Sequence, residues 1–86
     1  MWTGVQWTGT LGPGASARWF TFNWPATWHV VWTVMPTTPR VGAPQVSWSV
    51  AVERASAEYV TYWITVNNLT PDPLAFEGRY CILSRY

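Results

Sequence analysis

The sequence predicts a small, single-domain, all-β protein: an antiparallel β-sandwich or barrel of about six strands. Three observations predict it. Apolar residues alternate with a period of two in almost every segment, and none follows the 3.6-residue period of a helix. Pro and Gly break that pattern at short intervals, at Gly12-Pro13-Gly14, Pro25, Pro36, Pro39, Gly42, Pro44, Pro71 and Pro73. The length, 86 residues, suits one domain spanning 1–86 and no more.

Taken in order, the first strand is expected over 4–11, with Val5, Trp7 and Leu11 facing one way and Gln6, Thr8 and Thr10 the other. The second covers 17–24, where Phe20, Phe22 and Trp24 alternate with Trp19, Thr21 and Asn23. The third covers 28–35, with Trp28, Val30, Trp32 and Val34 on its apolar side. The fourth, 45–54, alternates Val46, Trp48, Val50 and Val52 with Ser47, Ser49, Ala51 and Glu53. The fifth, 58–67, sets Val60, Tyr62, Ile64 and Val66 against Tyr59, Thr61, Trp63, Thr65 and Asn67. The sixth, 74–84, sets Phe76, Tyr80 and Ile82 against Glu77, Arg79, Cys81 and Leu83.

The short links at 25–27 and 55–57 predict that strands two and three, and strands four and five, are antiparallel neighbours. The longer link from Pro36 to Pro44 is expected to cross between sheets. The alanines at 54–58 leave room for one helical turn. Turning the more apolar side of each strand inward gives a core of Trp7, Phe20, Phe22, Trp28, Val30, Trp32, Val34, Val46, Trp48, Val50, Val60, Tyr62, Ile64, Val66, Phe76, Tyr80 and Ile82. A slip of one residue would turn a whole strand over.

A domain this size buries only about 60–65% of its unfolded surface, so its core is thin. Disulfides cannot reinforce it within one chain, because Cys81 is the single cysteine. Large side chains can: there are eight Trp, four Tyr and three Phe, and each buried ring removes roughly 150–250 Å² from water. Charged residues make up 10% of the chain, against about 25% in an ordinary soluble domain. Thr and Ser take their place, giving a neutral, hydroxyl-rich, partly aromatic surface suited to binding or assembly, and a homo-oligomer is expected.

The composition excludes several chemistries. The net charge is +1, and the five basic residues, Arg18, Arg40, Arg54, Arg79 and Arg85, do not cluster; no nucleic-acid partner is expected. No apolar run approaches the ~18 residues of a transmembrane helix. The start, Met-Trp-Thr-Gly, lacks the basic and apolar regions of a signal peptide. The expected location is therefore cytoplasmic, or released without a visible signal, and a free cysteine fits a reducing compartment.

Nucleophilic catalysis has one available pair, Cys81 and His29, with no orienting third group. The acids are Glu53, Glu58, Asp72 and Glu77. Glu53 and Glu58 flank a turn beside Arg54, and Glu77 shares a strand face with Arg79, so both sets read as surface ion pairs rather than a hydrolytic dyad. One histidine and one cysteine make no metal site, and no phosphate loop is present. The segment Asn67-Asn68-Leu69-Thr70-Pro71-Asp72-Pro73 reads as a turn fixed by Asx chemistry. Its Asn68-Leu69-Thr70 sequon is taken as coincidental. The protein is expected to be no enzyme and to need no cofactor or metal.

The remaining aromatics carry the functional expectation. Trp19 and Trp63 lie on the more polar sides of their strands, with Thr21 and Asn23 beside one, and Tyr59, Thr61 and Thr65 beside the other. In one sheet they would form a platform on which the C–H face of a sugar ring could stack, the hydroxyls and amide (with Glu53) supplying hydrogen bonds. The expected function is a non-catalytic, lectin-like module for a glycan or other small neutral ligand, multivalent through homo-oligomerisation. The competing expectation is a self-assembly or protein–protein interaction module with the same rings buried between subunits.

Overall fold

The computed structural model describes residues 1–85. Alternating, β-branched and aromatic segments form six strands: β1 (Trp2–Leu11), β2 (Ser16–Pro25), β3 (His29–Pro36), β4 (Val46–Glu53), β5 (Tyr59–Asn68) and β6 (Leu74–Ser84). They make two three-stranded sheets, ordered β1-β6-β3 and β2-β5-β4, with every pairing antiparallel. The sheets face each other as a sandwich, and the molecule measures 42 × 24 × 17 Å. The two central strands are consecutive in the chain, joined by the turn after Asn68.

The core lies between the sheets. Leu11, Trp32, Val34, Leu74 and Phe76 come from one sheet, and Val60, Tyr62, Ile64 and Val66 from the other. Rings bridge the layers: Trp32 meets Tyr62 at 5.6 Å between centroids and Trp24 at 5.3 Å, and Trp19 meets Phe76 edge-on at 5.3 Å. Each such pair contributes roughly 0.5–1.5 kcal/mol beyond its buried area. The indole N–H groups of Trp7 and Trp32 are buried with no acceptor in reach. An unpaired donor costs about 1–3 kcal/mol, and truncating a core Trp to Ala costs about 3–5, so filling the volume outweighs the orphan donor.

Glycines make room for these rings. Trp7 lies against Gly78, where an added Cβ would overlap its ring, and Phe76 lies against Gly9, where a Cβ would come within 2.7 Å of it. At the open end of the sandwich the Arg85 guanidinium sits 3.5 Å over the Trp2 ring and 5.3 Å from that of Trp28, tying the start of β1 to the end of β6.

Five sequence expectations are corrected. Strands β2 and β3 are not neighbours: β2 pairs with β5 as far as Pro25, and the turn after it arches to the other sheet. This arch places Trp24 edge to face against Trp32 across the core instead of beside it in a sheet. Residues 54–58 form no helical turn; the β4–β5 hairpin is closed by Arg54, which donates to the carbonyls of Ser56 (3.0 Å) and Ala57 (2.7 Å) rather than pairing with Glu53 or Glu58. Two bulges reset the alternation. In β1 the register shifts between Val5 and Trp7, leaving Val5 outside and Trp7 inside. In β2 it shifts between Thr21 and Trp24, with Asn23 at φ 63°, a backbone conformation Asn tolerates well. Trp19 and Trp24 therefore both face the core, and Phe20 and Phe22, expected inside, are 59% and 61% exposed. The Pro36–Pro44 link does cross between sheets, as β3 and β4 belong to different ones.

Candidate functional site

The expected platform of Trp19 and Trp63 does not exist, because the β2 bulge puts the two rings on opposite faces of one sheet. Trp19 packs against the core. It also lines a cleft of about 220 Å³ on the β1–β2 side of the sandwich, with Trp7, Ile64, Phe20 and Phe22. Thr21 belongs to that cleft, its hydroxyl accepting from Trp24 Nε1 at 3.0 Å and Gln6 Nε2 at 3.3 Å. Asn23 is exposed at the bulge. Thr61 is buried at 7% exposure, so its hydroxyl is withdrawn from solvent. Tyr59 is exposed at the start of β5, opposite Pro25.

Trp63 and Thr65 do share a surface: the outer face of the sheet β2-β5-β4. Residues there stand in rungs across three strands. Ser16, Asn67 and Ser47 form one rung, Arg18, Thr65 and Ser49 the next, and Phe20, Trp63 and Ala51 the third. The first is tied by hydrogen bonds, Ser16 Oγ to Asn67 Oδ1 at 2.6 Å and Asn67 Nδ2 to Ser47 Oγ at 3.1 Å. In the third, Phe20 and Trp63 pack at 5.0 Å between centroids, tilted by 34°. The Arg18 guanidinium lies 4.9 Å from the Trp63 ring centre. Glu53, at the end of β4, accepts a 2.8 Å hydrogen bond from Trp63 Nε1, which fixes the ring toward that strand.

Because β4 carries the small Ser47, Ser49 and Ala51 on this face ahead of Glu53, the β4 side of Trp63 is left open, while Phe20 packs on its β2 side. The result is a depression of about 280 Å³ lined by Arg18, Ser49, Val50, Ala51, Trp63 and Thr65. It joins an indole, a guanidinium and two hydroxyls, with a carboxylate behind the ring. The sequence reasoning missed Arg18, Phe20, Ser49 and Ala51. The available signal was Asn23, a residue suited to a bulge, within a run aromatic in both phases.

Elsewhere among the described residues two ion pairs stand on the surface. Asp72 pairs with Arg40, and Glu77 Oε1 with Arg79 Nη2 at 2.8 Å. His29 Nδ1 lies 2.9 Å from Ser84 Oγ, and Cys81 sits opposite Val31 in the β3–β6 ladder. Among the described residues no three His, Cys, Asp or Glu side chains come together as a metal site. The hollow on the outer face of the other sheet, about 440 Å³, is spanned by the Glu77–Arg79 pair. Among the described residues no helix is long and apolar enough to cross a membrane. No protein-family model, curated protein or solved structure matches the chain.

Proposed function

We propose that the protein is a non-catalytic carbohydrate-binding module whose site is the depression beside Trp63. The observation that supports this reading is the grouping of that ring with Arg18, Ser49 and Thr65 on a rigid sheet face. A sugar presents an apolar C–H face and a rim of hydroxyls; the indole serves the first, and the guanidinium and side-chain hydroxyls serve the second. The volume, about 280 Å³, falls just below the roughly 300–1,000 Å³ of ligand pockets. One sugar unit is accommodated, and a single site is weak. Useful avidity then comes from several copies in an oligomer.

The test is elution from agarose, dextran and chitin columns with and without free sugar. Wild type is retarded and released by the competing sugar, and Trp63→Ala elutes unretarded, where a non-binding protein of its size does, with its circular dichroism unchanged. Retention that survives Trp63→Ala defeats the reading.

A second reading has its own support: Phe20 and Phe22 are 59% and 61% exposed, and neither carries a hydrogen-bonding group to meet a sugar. There the aromatic face is an assembly surface covered by another subunit. Phe22→Ser distinguishes the two, since it lowers the molecular mass in solution under the second reading and leaves it unchanged under the first.

A further inference from the structure

Each of the two sheets has two edge strands, and exposed edges invite pairing unless something blunts them. Three of the four are blunted. β1 is bulged between Val5 and Trp7. β2 is bulged between Thr21 and Trp24 and carries Arg18. β3 is irregular at His29, ends in Pro36, and gives the Trp32 carbonyl to Trp48 Nε1 at 3.3 Å.

β4 has none of these devices. Its eight residues match β5 one to one with no register shift, and it carries no proline and no charge before Glu53. Its core-facing side chains are poorly covered: Trp48 is 38% exposed, Val50 39% and Val52 64%. Among the described residues no strand pairs with its other side. The strand lacks a backbone partner on that side and an apolar cover at the same place.

The pattern of the strand identifies the partner. From Val46 to Val52 the apolar Val46, Trp48, Val50 and Val52 alternate with the small Ser47, Ser49 and Ala51, symmetrically about Ser49. An antiparallel copy placed with a two-fold axis at Ser49 sets Val46 opposite Val52, Ser47 opposite Ala51 and Trp48 opposite Val50. Each core-facing apolar residue then meets another, each small outer residue meets another, and Glu53 falls opposite the neutral Gln45. We infer that the protein dimerises through β4, joining two copies of the sheet β2-β5-β4 into one six-stranded sheet by an isologous contact. The inference rests on the multivalent reading above and adds the interface to it. With strands about 4.8 Å apart, the two Trp63 rings share one face, about 14 Å apart measured across the strands.

Sedimentation and cross-linking test it. Wild type sediments at twice the 9.8 kDa chain mass. Val52→Lys, which puts a charge into the contact and lies away from the Trp63 depression, sediments as a folded monomer. In a Cys81→Ser background, Ser49→Cys oxidises to a covalent dimer, because residues opposite each other in an antiparallel pair lie within disulfide reach; Thr33→Cys, on the edge of β3, does not. A monomeric wild type, a Val52→Lys dimer, or a Ser49→Cys protein that cross-links no better than Thr33→Cys overturns the inference. Column retention reads the sugar site separately: Val52→Lys is still retarded, more weakly, when the carbohydrate reading holds and is not retarded when it fails.

Discussion

Asn68 shows how much one side chain can hold at one end of the sandwich. It is 2% exposed. Its Nδ2 donates to the carbonyls of Leu11 (3.3 Å), Gly12 (2.9 Å) and Asp72 (2.7 Å). Its Oδ1 accepts from the Thr70 backbone N–H at 2.9 Å and hydroxyl at 2.8 Å. The side chain thus joins the end of β1 to the turn between the two central strands. The Asx turn expected from 67–73 is present, and its asparagine is buried, so a glycan at the Asn68 sequon is incompatible with this fold. Asn68→Ala strands several of these groups, each at about 1–3 kcal/mol; a net loss of about 3 kcal/mol is expected, read as a fall in the urea midpoint with an unchanged slope. An unchanged midpoint would show the network to be dispensable. At the site, Trp63 and Thr65 were legible as residues because a ring and hydroxyls interrupt an otherwise orderly apolar alternation. Arg18 was not, because its place beside Thr65 depends on which strand pairs with β5.

At the scale of the element, all six strands were legible, with ends within about two residues, since alternation and Pro/Gly punctuation are local signals. The facing of β2 was not. Its run Trp19-Phe20-Thr21-Phe22-Asn23-Trp24 is aromatic in both phases, so hydrophobicity does not choose between them, and the bulge at Asn23 lets both Trp19 and Trp24 face inward. The strand glycines are legible only with the partner strand in place. Gly78 is central in β6 because Trp7 of β1 lies on it, whereas Gly12 has nothing within 4 Å of where a Cβ would stand. Gly78→Ala is therefore expected to destabilise by about 1–3 kcal/mol through overpacking, and Gly12→Ala to change stability far less; thermal unfolding of the two variants side by side checks this. Equal melting temperatures would mean that the Trp7 ring moves aside freely.

For the molecule as a whole, the thin core makes stability depend on a few large rings, one of which titrates. Burial raises the Tyr62 phenol above its ordinary value of 10.0. In the unfolded chain that phenol ionises from about pH 10, while the folded protein keeps it neutral to higher pH. The unfolded state then binds fewer protons, so stability is unaffected below pH 10 and falls as pH rises from there to the folded-state value. Urea midpoints on either side of pH 10 should drop more for wild type than for Tyr62→Phe; identical drops would place the alkaline sensitivity elsewhere.

The sequence by itself determined the fold class, the six strands, the crossing link at 36–44 and the hairpin link at 55–57, and a composition poor in charge. These follow from local periodicity, turn chemistry and composition, which need no knowledge of neighbours. The tertiary structure decided which strands share a sheet, which side of β2 is buried, and that Trp63 stands beside Arg18 and Ser49 rather than Trp19. Those outcomes depend on contacts between residues distant in the chain. A single bulge reverses a strand's facing, and a turn that arches between sheets looks, in sequence, the same as one that closes a hairpin.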